Sequence, residues 1–330
     1  MKLFDCTLRD GANVIGKGFD AELTKLMLDG MIANGIEIIE FGNCLGIGAY
    51  EENKSIAPLN DDEYLELIQP YLGKAQIGMF IGYKNTHPCY IEKAARGGLD
   101  FLRVGCNAGD GALTEAGIKA IKGAGLKCFY SMMKGYILSA DDLAEEAAML
   151  ESFGLDEITI MDSAGTMFPE QVREYVSKMV AKVNIPVGFH GHNNLGLSCA
   201  NAMAAYEAGA SRIDGGLLGM ARSTGNLPIE LAVAAFRRRG VETGVDFFGL
   251  LGFLDKQLVP AMEKQGYHTA IKPVDLICGY SGCHSSFLST FESVARNENV
   301  DLFRLITDVS EITQKLPNKA MMETVAKKLK

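Results

Sequence analysis

The feature that most limits the possible folds is the regular alternation of short apolar, β-rich segments with longer segments of helical pattern. Eight β-rich segments recur through the first two thirds of the chain at a spacing of roughly 30 residues, the length of a βαβ repeat. We predict strands at Lys2 to Cys6, Ile36 to Phe41, Ala75 to Ile81, Phe101 to Cys106, Leu126 to Tyr130, Glu157 to Met161, Ile185 to Phe189 and Arg212 to Leu217. Strands that alternate with helices are typical of a parallel sheet.

Helix signals separate these segments. Ser139 is expected to cap a helix from Ala140 to Phe153, and Pro169 to open the next one. Gly209 is expected to end a helix that starts at Asn194. Eight strand–helix units indicate a (β/α)8 TIM barrel, an α/β fold that typically takes about 250 residues. An open doubly wound sheet is the alternative, and it is less favoured because no GxGxxG motif follows the first strand.

The pattern changes after a predicted helix from Pro228 to Arg239. From Val245 onward helices follow one another without strands, at Phe247 to Lys264, Ser285 to Asn297, Leu302 to Thr307 and Ala320 to Leu329. We therefore predict a TIM-barrel catalytic domain over residues 1–244 and a C-terminal helical domain over residues 245–330. The helical domain is long enough to form a subunit contact, so we expect a homodimer built with these helices.

Composition narrows the classes of partner. The chain has 330 residues, 48% of them hydrophobic, and a net charge of -9. This acidic balance argues against binding to nucleic acid or to an anionic membrane surface. No uncharged apolar stretch approaches the ~18 residues of a membrane span, and the start lacks a basic region followed by an apolar run, so we expect a cytoplasmic protein. A small anionic substrate would then need a local positive centre, such as a metal ion or an arginine.

Two histidines mark a candidate metal site. His190 and His192 lie two residues apart at a predicted strand end, where alternate side chains point the same way. Asp10 follows the first strand, which neighbours the seventh and eighth strands in a closed barrel, so the three side chains can converge. Asn226, in the loop after strand eight, could supply an amide oxygen. This mixed nitrogen and oxygen set favours a divalent ion, Mn²⁺ first, with Mg²⁺, Co²⁺ or Zn²⁺ as alternatives.

Two further side chains are expected near this site. Arg9 precedes Asp10, and its guanidinium can hold a substrate carboxylate or neutralise a developing enolate; a surface ion pair is the alternative. Asp162 ends strand six and faces the predicted mouth. It could bind and orient substrate or cap the helix that begins near Pro169, and the sequence favours neither role.

These residues carry a family resemblance. Four stretches together resemble the DRE-TIM metallolyase (HMGL-like) superfamily: Thr7-Leu8-Arg9-Asp10-Gly11, His190-Gly191-His192-Asn193-Asn194-Leu195-Gly196, Ala208-Gly209-Ala210 and Gly225-Asn226. That group includes HMG-CoA lyase, isopropylmalate and homocitrate synthases, and 4-hydroxy-2-oxovalerate aldolase. The aldolases are the nearest, because the chain length is similar and the stretch from Gly279 to Leu288 resembles part of their C-terminal helical domain. The resemblance covers nearly the whole chain.

The resemblance implies a mechanism. A divalent ion held by Asp10, His190 and His192 would be chelated by the carboxylate and keto oxygens of an α-keto acid. The ion and Arg9 would stabilise a pyruvate enolate. The predicted enzyme is thus a metal-dependent aldolase, a carbon-carbon lyase that forms or cleaves a 4-hydroxy-2-oxo acid through a metal-bound pyruvate enolate. Aldolases of this kind often pair with an aldehyde dehydrogenase, which is a candidate partner here.

The chain departs from the family pattern at Asn13. The aldolases carry a histidine there, three residues after the metal aspartate, and the CoA-dependent synthases carry a Glu-Gln pair where this chain has Ala12 and Asn13. Asparagine is not a general base near neutral pH, so we predict His284, with Tyr280 close by, as the catalytic substitute. Two alternatives remain: a Claisen-type synthase that joins an acyl-CoA to an α-keto acid, as isopropylmalate and homocitrate synthases do, and a non-catalytic metal-binding homologue.

Overall fold

The eight predicted strands form a closed parallel barrel in a computed structural model, which describes residues 1–16, 18–53 and 57–330. Each strand pairs with the next, and β8 pairs with β1. The strands are β1 Lys2–Asp5, β2 Ile38–Phe41, β3 Gln76–Gly82, β4 Phe101–Asn107, β5 Lys127–Met133, β6 Glu157–Asp162, β7 Val187–Gly191 and β8 Arg212–Gly215. The predicted TIM barrel is confirmed, and the open sheet is wrong because β1 and β8 are hydrogen-bonded neighbours.

Helices cover the outside of the barrel. They are α1 Ala21–Ala33, α2 Ala49–Asn53, α3 Asp61–Leu67, α4 Pro88–Arg96, α5 Glu115–Gly123, α6 Ala140–Ser152, α7 Pro169–Lys182, α8 Ser198–Glu207 and α9 Ile229–Arg238. The Ser139 side chain accepts a hydrogen bond from the Asp142 N–H, which confirms the predicted N-cap of α6. Helix α8 begins four residues later than predicted, because Oδ1 of Asn193 accepts hydrogen bonds from the N–H and hydroxyl of Ser198 at 3.2 and 2.8 Å.

The C-terminal region is helical, as predicted. Its helices are α10 Phe247–Phe253, α11 Val259–Lys264, α12 Pro273–Ser281, α13 Leu288–Glu298, α14 Leu302–Ile312 and α15 Lys319–Ala326. One π-helical turn, Leu254–Leu258, joins α10 to α11. The sequence patterns did not identify α12, whose short glycine-containing stretch carries a weak helical signal. Among the described helices, none has the length and apolar character that crossing a membrane requires.

The helical region packs directly on the barrel. The ring of Phe253 in α10 lies against Gly30 in α1, where even a Cβ atom would come within 2.2 Å of it. Helix α12 packs on α9, and its buried side chains are part of the same hydrophobic core as those of the barrel helices. Helix α9 ends at Arg238 and α10 begins at Phe247, on either side of the domain boundary that we predict after residue 244.

The barrel interior is layered. Phe4, Ile38, Phe101 and Phe129 form a separate apolar cluster, in which the rings of Phe101 and Phe129 stack with centroids 4.5 Å apart. Arg103 lies on this layer with its guanidinium 4.4 Å from the Phe4 ring centroid. Since Arg103 follows Phe101 by two residues along β4, it lies one layer nearer the carboxyl ends of the strands. The apolar layer thus supports a charged layer, and the candidate site lies beyond it.

Candidate metal centre at the barrel mouth

Three predicted ligands meet at the carboxyl ends of β1 and β7. Nε2 of His190 lies 3.7 Å from Oδ2 of Asp10, and Nε2 of His192 lies 3.8 Å from the same oxygen. The candidate ligand atoms of all three residues are within 4.8 Å of one another, and all three side chains are buried. The prediction that the fold brings Asp10 beside the two histidines is therefore confirmed.

The loop after β1 is fastened so that Asp10 faces β7. The N–H of Asp10 donates to the carbonyl of Cys6, and the N–H and thiol of Cys6 both donate to the carbonyl of Gly215 in β8. The hydroxyl of Thr7 accepts a hydrogen bond from the N–H of Leu217 at 2.7 Å. Because these contacts tie the loop to the neighbouring strand, the position of the carboxylate is set by backbone geometry.

The charge states suit a cation site. Burial alone would raise the pKa of Asp10, but Arg9 and the two imidazoles lower it to about 2, so its carboxylate is ionised at neutral pH. Burial, with a contribution from His190, lowers the pKa of His192 to about 4. His192 is therefore neutral at pH 7 and has a lone pair to offer a metal.

The residues present fit a divalent ion. Nε2 of His190 is buried and has no hydrogen-bond partner among the described residues. On the other side of the ring, Nδ1 lies 3.2 Å from Oδ2 of Asp214, which fixes the ring orientation. A histidine whose second nitrogen is held by a carboxylate is the usual arrangement of a metal-binding imidazole. A bound cation would satisfy the unpaired Nε2 atom.

Asn226 reaches the site, but through its amide nitrogen. Nδ2 donates to Oδ2 of Asp10 at 2.8 Å, and it lies 3.6 Å from Sγ of Cys6. Oδ1 is buried without a hydrogen-bond partner among the described residues. Metal ligation through Oδ1 would need the amide group turned by half a rotation, and it stays a prediction.

Arg9 is buried rather than part of a surface ion pair. Its Nε donates to Oε2 of Glu40 at 2.6 Å, and its Nη1 lies 3.2 Å from Oδ1 of Asp10. The guanidinium lies 5.0 Å from the ring centroid of Phe80. Burial opposes the charge, but Glu40 and Asp10 hold the pKa of Arg9 above its usual range. Nη2 is buried without a hydrogen-bond partner among the described residues, so this charged donor is unused.

A ring of buried charges supports these residues. Glu40 in β2 lies 3.9 Å from Nη1 of Arg103 in β4, and Nη2 of Arg103 lies 2.7 Å from Oδ2 of Asp214 in β8. Asp214 holds His190, and Arg9 connects Glu40 to Asp10, so the ring closes at the candidate metal ligands. We did not identify Glu40, Arg103 and Asp214 from the sequence. Glu40 and Arg103 are each the single charge of an otherwise apolar strand, a pattern that indicates a buried partner, whereas the strand of Asp214 also contains Arg212.

The site opens into a cavity of about 490 Å³ at the barrel mouth. Its walls include Arg9, Asp10, His190 and His192 on one side, and residues from the loops after β3 and β5 on the other. Arg222 also lines this cavity. The arrangement is a buried donor set with a free guanidinium N–H, which suits a small anion that also contacts a cation.

Two predicted residues have roles in holding loops. Oδ1 and Oδ2 of Asp162 accept hydrogen bonds from the N–H groups of Thr166 and Met167 at 2.9 and 3.0 Å. This fully buried carboxylate holds the loop before α7 and does not cap that helix, whose N-cap residue is Phe168. Substrate binding by Asp162 stays a prediction. Asn13 donates from Nδ2 to the Asp10 carbonyl at 2.8 Å, and its Oδ1 accepts from Arg222 at 3.4 Å. Asn13 therefore fastens the loop that carries Asp10.

The structure does not bring His284 and Tyr280 to the mouth, which corrects their prediction as catalytic groups. The Tyr280 hydroxyl accepts a hydrogen bond from Nε of Arg237 at 2.9 Å. Arg237 lies at the end of α9, which runs back from the mouth after β8 and so ends at the opposite face of the barrel. His284 is exposed, and its Nδ1 lies 2.9 Å from the Ser286 hydroxyl. The absence of a histidine at position 13 and the presence of one at position 284 therefore did not mean that the two positions lie close together.

A closed (β/α)8 barrel with a buried Asp-His-His cluster at its mouth defines a TIM-barrel protein with a candidate metal site. The profile of the HMGL-like family matches residues 111–255. The 4-hydroxy-2-oxovalerate aldolase of Carboxydothermus hydrogenoformans is 31% identical over 94% of this chain and 92% of its own length. The aldolase of the same name from Pectobacterium atrosepticum is 32% identical over 91% and 87%. The chain belongs to the HMGL-like family, which confirms the predicted superfamily and an enzyme related to these aldolases.

Solved structures agree on the fold. The HMG-CoA lyase of Brucella melitensis superposes with a TM-score of 0.67 at 17% identity, over 80% of this chain and 98% of that one. The carboxyl transferase domain of Rhizobium etli pyruvate carboxylase gives a TM-score of 0.67 at 15% identity, over 100% of this chain and 61% of that one. At these identities the likeness concerns the fold alone.

Proposed function

We propose that this chain is a divalent-metal-dependent aldolase that forms or cleaves a 4-hydroxy-2-oxo acid by way of a pyruvate enolate. One observation carries the proposal: the donor set of Asp10, His190 and His192 lies beside the unpaired Nη2 of Arg9 in one cavity. The relatives named 4-hydroxy-2-oxovalerate aldolase, which align over most of the chain, support it.

Asp10, His190 and His192 would hold the ion, and Asn226 could add its amide oxygen. Mn²⁺ is the ion that we propose, with Mg²⁺, Co²⁺ or Zn²⁺ as alternatives, because the donors mix nitrogen and oxygen. When bound, a divalent ion supplies positive charge that stabilises negative charge developing on the substrate. The carboxylate of Asp214 keeps the His190 ring in place for this role.

Arg9 is the group that we assign to the substrate anion. Arg9 lines the cavity, and its Nη2 has no hydrogen-bond partner among the described residues, while Nε and Nη1 are held by Glu40 and Asp10. A guanidinium fixed in this way needs no rearrangement to donate a charge-assisted hydrogen bond to the carboxylate or enolate oxygen of pyruvate. The buried position strengthens that bond, because little water competes for it.

In the proposed reaction, the C3–C4 bond breaks or forms, and a proton moves between the C4 oxygen and C3. In cleavage the C4 hydroxyl loses its proton, the C3–C4 bond breaks, and its electron pair remains on the pyruvate half as the enolate, which is then protonated at C3. In the addition direction, the methyl group of pyruvate loses a proton, and its carbon forms a bond to the carbonyl carbon of the aldehyde. The aldehyde oxygen then takes up a proton. The amide of Asn13 is not basic, so this residue positions Asp10 and Arg222 and does not move the proton.

The test is proton exchange at the methyl group of pyruvate in D₂O, followed by NMR with purified full-length protein. We expect exchange with Mn²⁺, none without a divalent ion, and loss in His190→Ala. His87→Ala is the matched control, because His87 is exposed at the start of α4, and it should keep the exchange. Absence of exchange in the wild-type protein with each of the four ions would refute the proposal.

A further inference from the structure

We propose that the aldehyde-derived half of the substrate carries an anionic group, a carboxylate or a phosphate, that binds Lys84 and Lys134. These lysines line the same cavity as the metal ligands. The inference rests on the proposed aldolase function and specifies its substrate class. It goes beyond a small neutral aldehyde, which would need no cation at this position.

The charge of the cavity is opposite to that of the protein. The chain carries a net charge of -9, yet the cavity walls hold Arg9, Lys84, Lys134 and Arg222 against the single carboxylate of Asp10. Arg9 is already paired with Glu40 and Asp10. The three other cations therefore give the outer part of the cavity a positive field, which attracts an anion.

Lys84 and Lys134 have no carboxylate partner within 4.0 Å among the residues that the structure describes. Some lysines elsewhere do, such as Lys93, Lys119, Lys122, Lys178 and Lys182, which pair with Asp or Glu side chains, and other described lysines do not. An unpaired cation beside a cavity can bind an anionic ligand without first breaking an ion pair.

The barrel order places the lysines across the mouth from the metal ligands. Asp10 follows β1 and His190 lies in β7, whereas Lys84 follows β3 and Lys134 follows β5. In the closed order of eight strands, β3 to β5 lie opposite β7 to β1. A substrate with its 2-oxo acid end at Arg9 would therefore extend its other end toward the lysines. The cavity of about 490 Å³ is within the ~300–1,000 Å³ typical of sites for larger ligands, so it leaves room for this extension.

The backbone at Lys134 is a second sign that this side chain is used. Lys134 adopts the left-handed region with φ of 57°, a conformation that glycine adopts freely and residues with a side chain adopt rarely. Its N–H donates to the hydroxyl of Ser163 at 2.9 Å, which holds the turn in place. Strain of this kind is typical of functional positions. The geometry fixes the lysine at the cavity edge.

The binding test compares two acids that differ only in a distal charge. We would titrate the Mn²⁺-loaded full chain with 2-oxohexanedioate and with 2-oxohexanoate by calorimetry. We expect the dianion to bind at least ~10-fold more tightly, equivalent to ~1.4 kcal/mol. The double variant Lys84→Met with Lys134→Met should lose this preference, and the double arginine variant should keep it. Lys127→Met is the matched control, because Lys127 is an exposed lysine at the start of β5, on the opposite face of the barrel.

Aldol addition of pyruvate to aldehydes of different charge tests which anionic group the enzyme accepts. The acceptors are 4-oxobutanoate, glycolaldehyde phosphate and neutral butanal, and we expect one of the two anionic aldehydes to have a kcat/KM at least ~10-fold above that of butanal, again ~1.4 kcal/mol. Equal binding of the two acids or a preference for butanal, with pyruvate proton exchange intact, would overturn this inference alone. Failure of both acids to bind, together with absent exchange, would overturn the proposed function and this inference with it.

Discussion

Nδ1 of His190 and Oδ2 of Asp214 are 3.2 Å apart, and the same carboxylate oxygen lies 2.7 Å from Nη2 of Arg103. A proton on Nδ1 that is shared with Asp214 leaves the lone pair on Nε2, the atom that faces Asp10. Arg103 keeps Asp214 ionised, because its charge lowers the pKa of that buried carboxyl group. The charge ring therefore favours the tautomer of His190 that the proposed metal site needs.

Asp214→Asn is expected to weaken Mn²⁺ binding by about 10–100-fold, the usual effect of removing a partner that orients a metal ligand. The variant should also be less stable, because Arg103 would lose its closest carboxylate in a fully buried position. Calorimetric titration with Mn²⁺ measures the first effect, and urea unfolding the second. Asp141→Asn, which removes a surface partner of Lys178, is the control and should leave Mn²⁺ affinity unchanged. Unaltered affinity in Asp214→Asn would contradict the assigned role.

Arg9→Lys should slow pyruvate proton exchange by about 100-fold while retaining Mn²⁺ binding. A lysine keeps the positive charge, but it lacks the fork that holds Glu40 and Asp10 and still leaves Nη2 for the proposed substrate anion. Exchange rates by NMR, with Mn²⁺ at saturation, measure this loss. Arg96→Lys, an exposed change in α4, should exchange at the wild-type rate. If Arg9→Lys also matched that rate, Arg9 would not be the substrate-binding group.

Glu230→Gln should stabilise the protein at alkaline pH. Burial raises the pKa of Glu230 from 4.5 to about 7, and its only hydrogen-bond donor in the described structure outside its own residue is the N–H of Leu218. The folded state thus holds the proton more tightly than the unfolded state, so this group lowers stability as pH rises from 4.5 to about 7. Below pH 4.5 Glu230 does not destabilise the folded state, and above about pH 7 its destabilising effect is complete.

The free energy of unfolding, measured by urea at about pH 4.5 and about pH 8, tests this sign. We expect the difference between Glu230→Gln and wild type to grow by up to ~3 kcal/mol toward the higher pH. Glu66→Gln, an exposed change in α3, should give a difference that is nearly the same at both pH values. A gain in Glu230→Gln that is larger at the lower pH would contradict the reasoning.

The homodimer that we propose would bury exposed apolar side chains of the C-terminal helices. Ile312 and Leu316, at and after the end of α14, are 59% and 69% exposed. Light scattering should give twice the 35.6 kDa chain mass for wild type and the chain mass for Ile312→Lys with Leu316→Lys. Leu113→Lys, which changes a 64% exposed leucine on the barrel, should remain dimeric. A monomeric wild type, or a dimeric double variant, would refute this arrangement.

Sequence patterns predicted the barrel and the three ligands because both depend on local signals. Eight strand-like segments specify the closed sheet, and the two-residue spacing of His190 and His192 places both at one strand end. The charge ring was missed, because the pairing of Glu40 with Arg103 depends on which side chains point inward at the same height in β2 and β4. His284 was misplaced for a related reason: helix α12 runs away from the mouth, and its direction is set by packing on α9.

The most direct test of the metal centre is the electron paramagnetic resonance of Mn²⁺ titrated into wild-type protein and into His192→Ala, with and without pyruvate. We expect one Mn²⁺ per chain in the wild type, a change in its spectrum when pyruvate is added, and no stoichiometric binding in the variant. Equal binding in wild type and His192→Ala would contradict the assignment of the site. Binding that is unaffected by saturating pyruvate would contradict the role of this ion in the reaction.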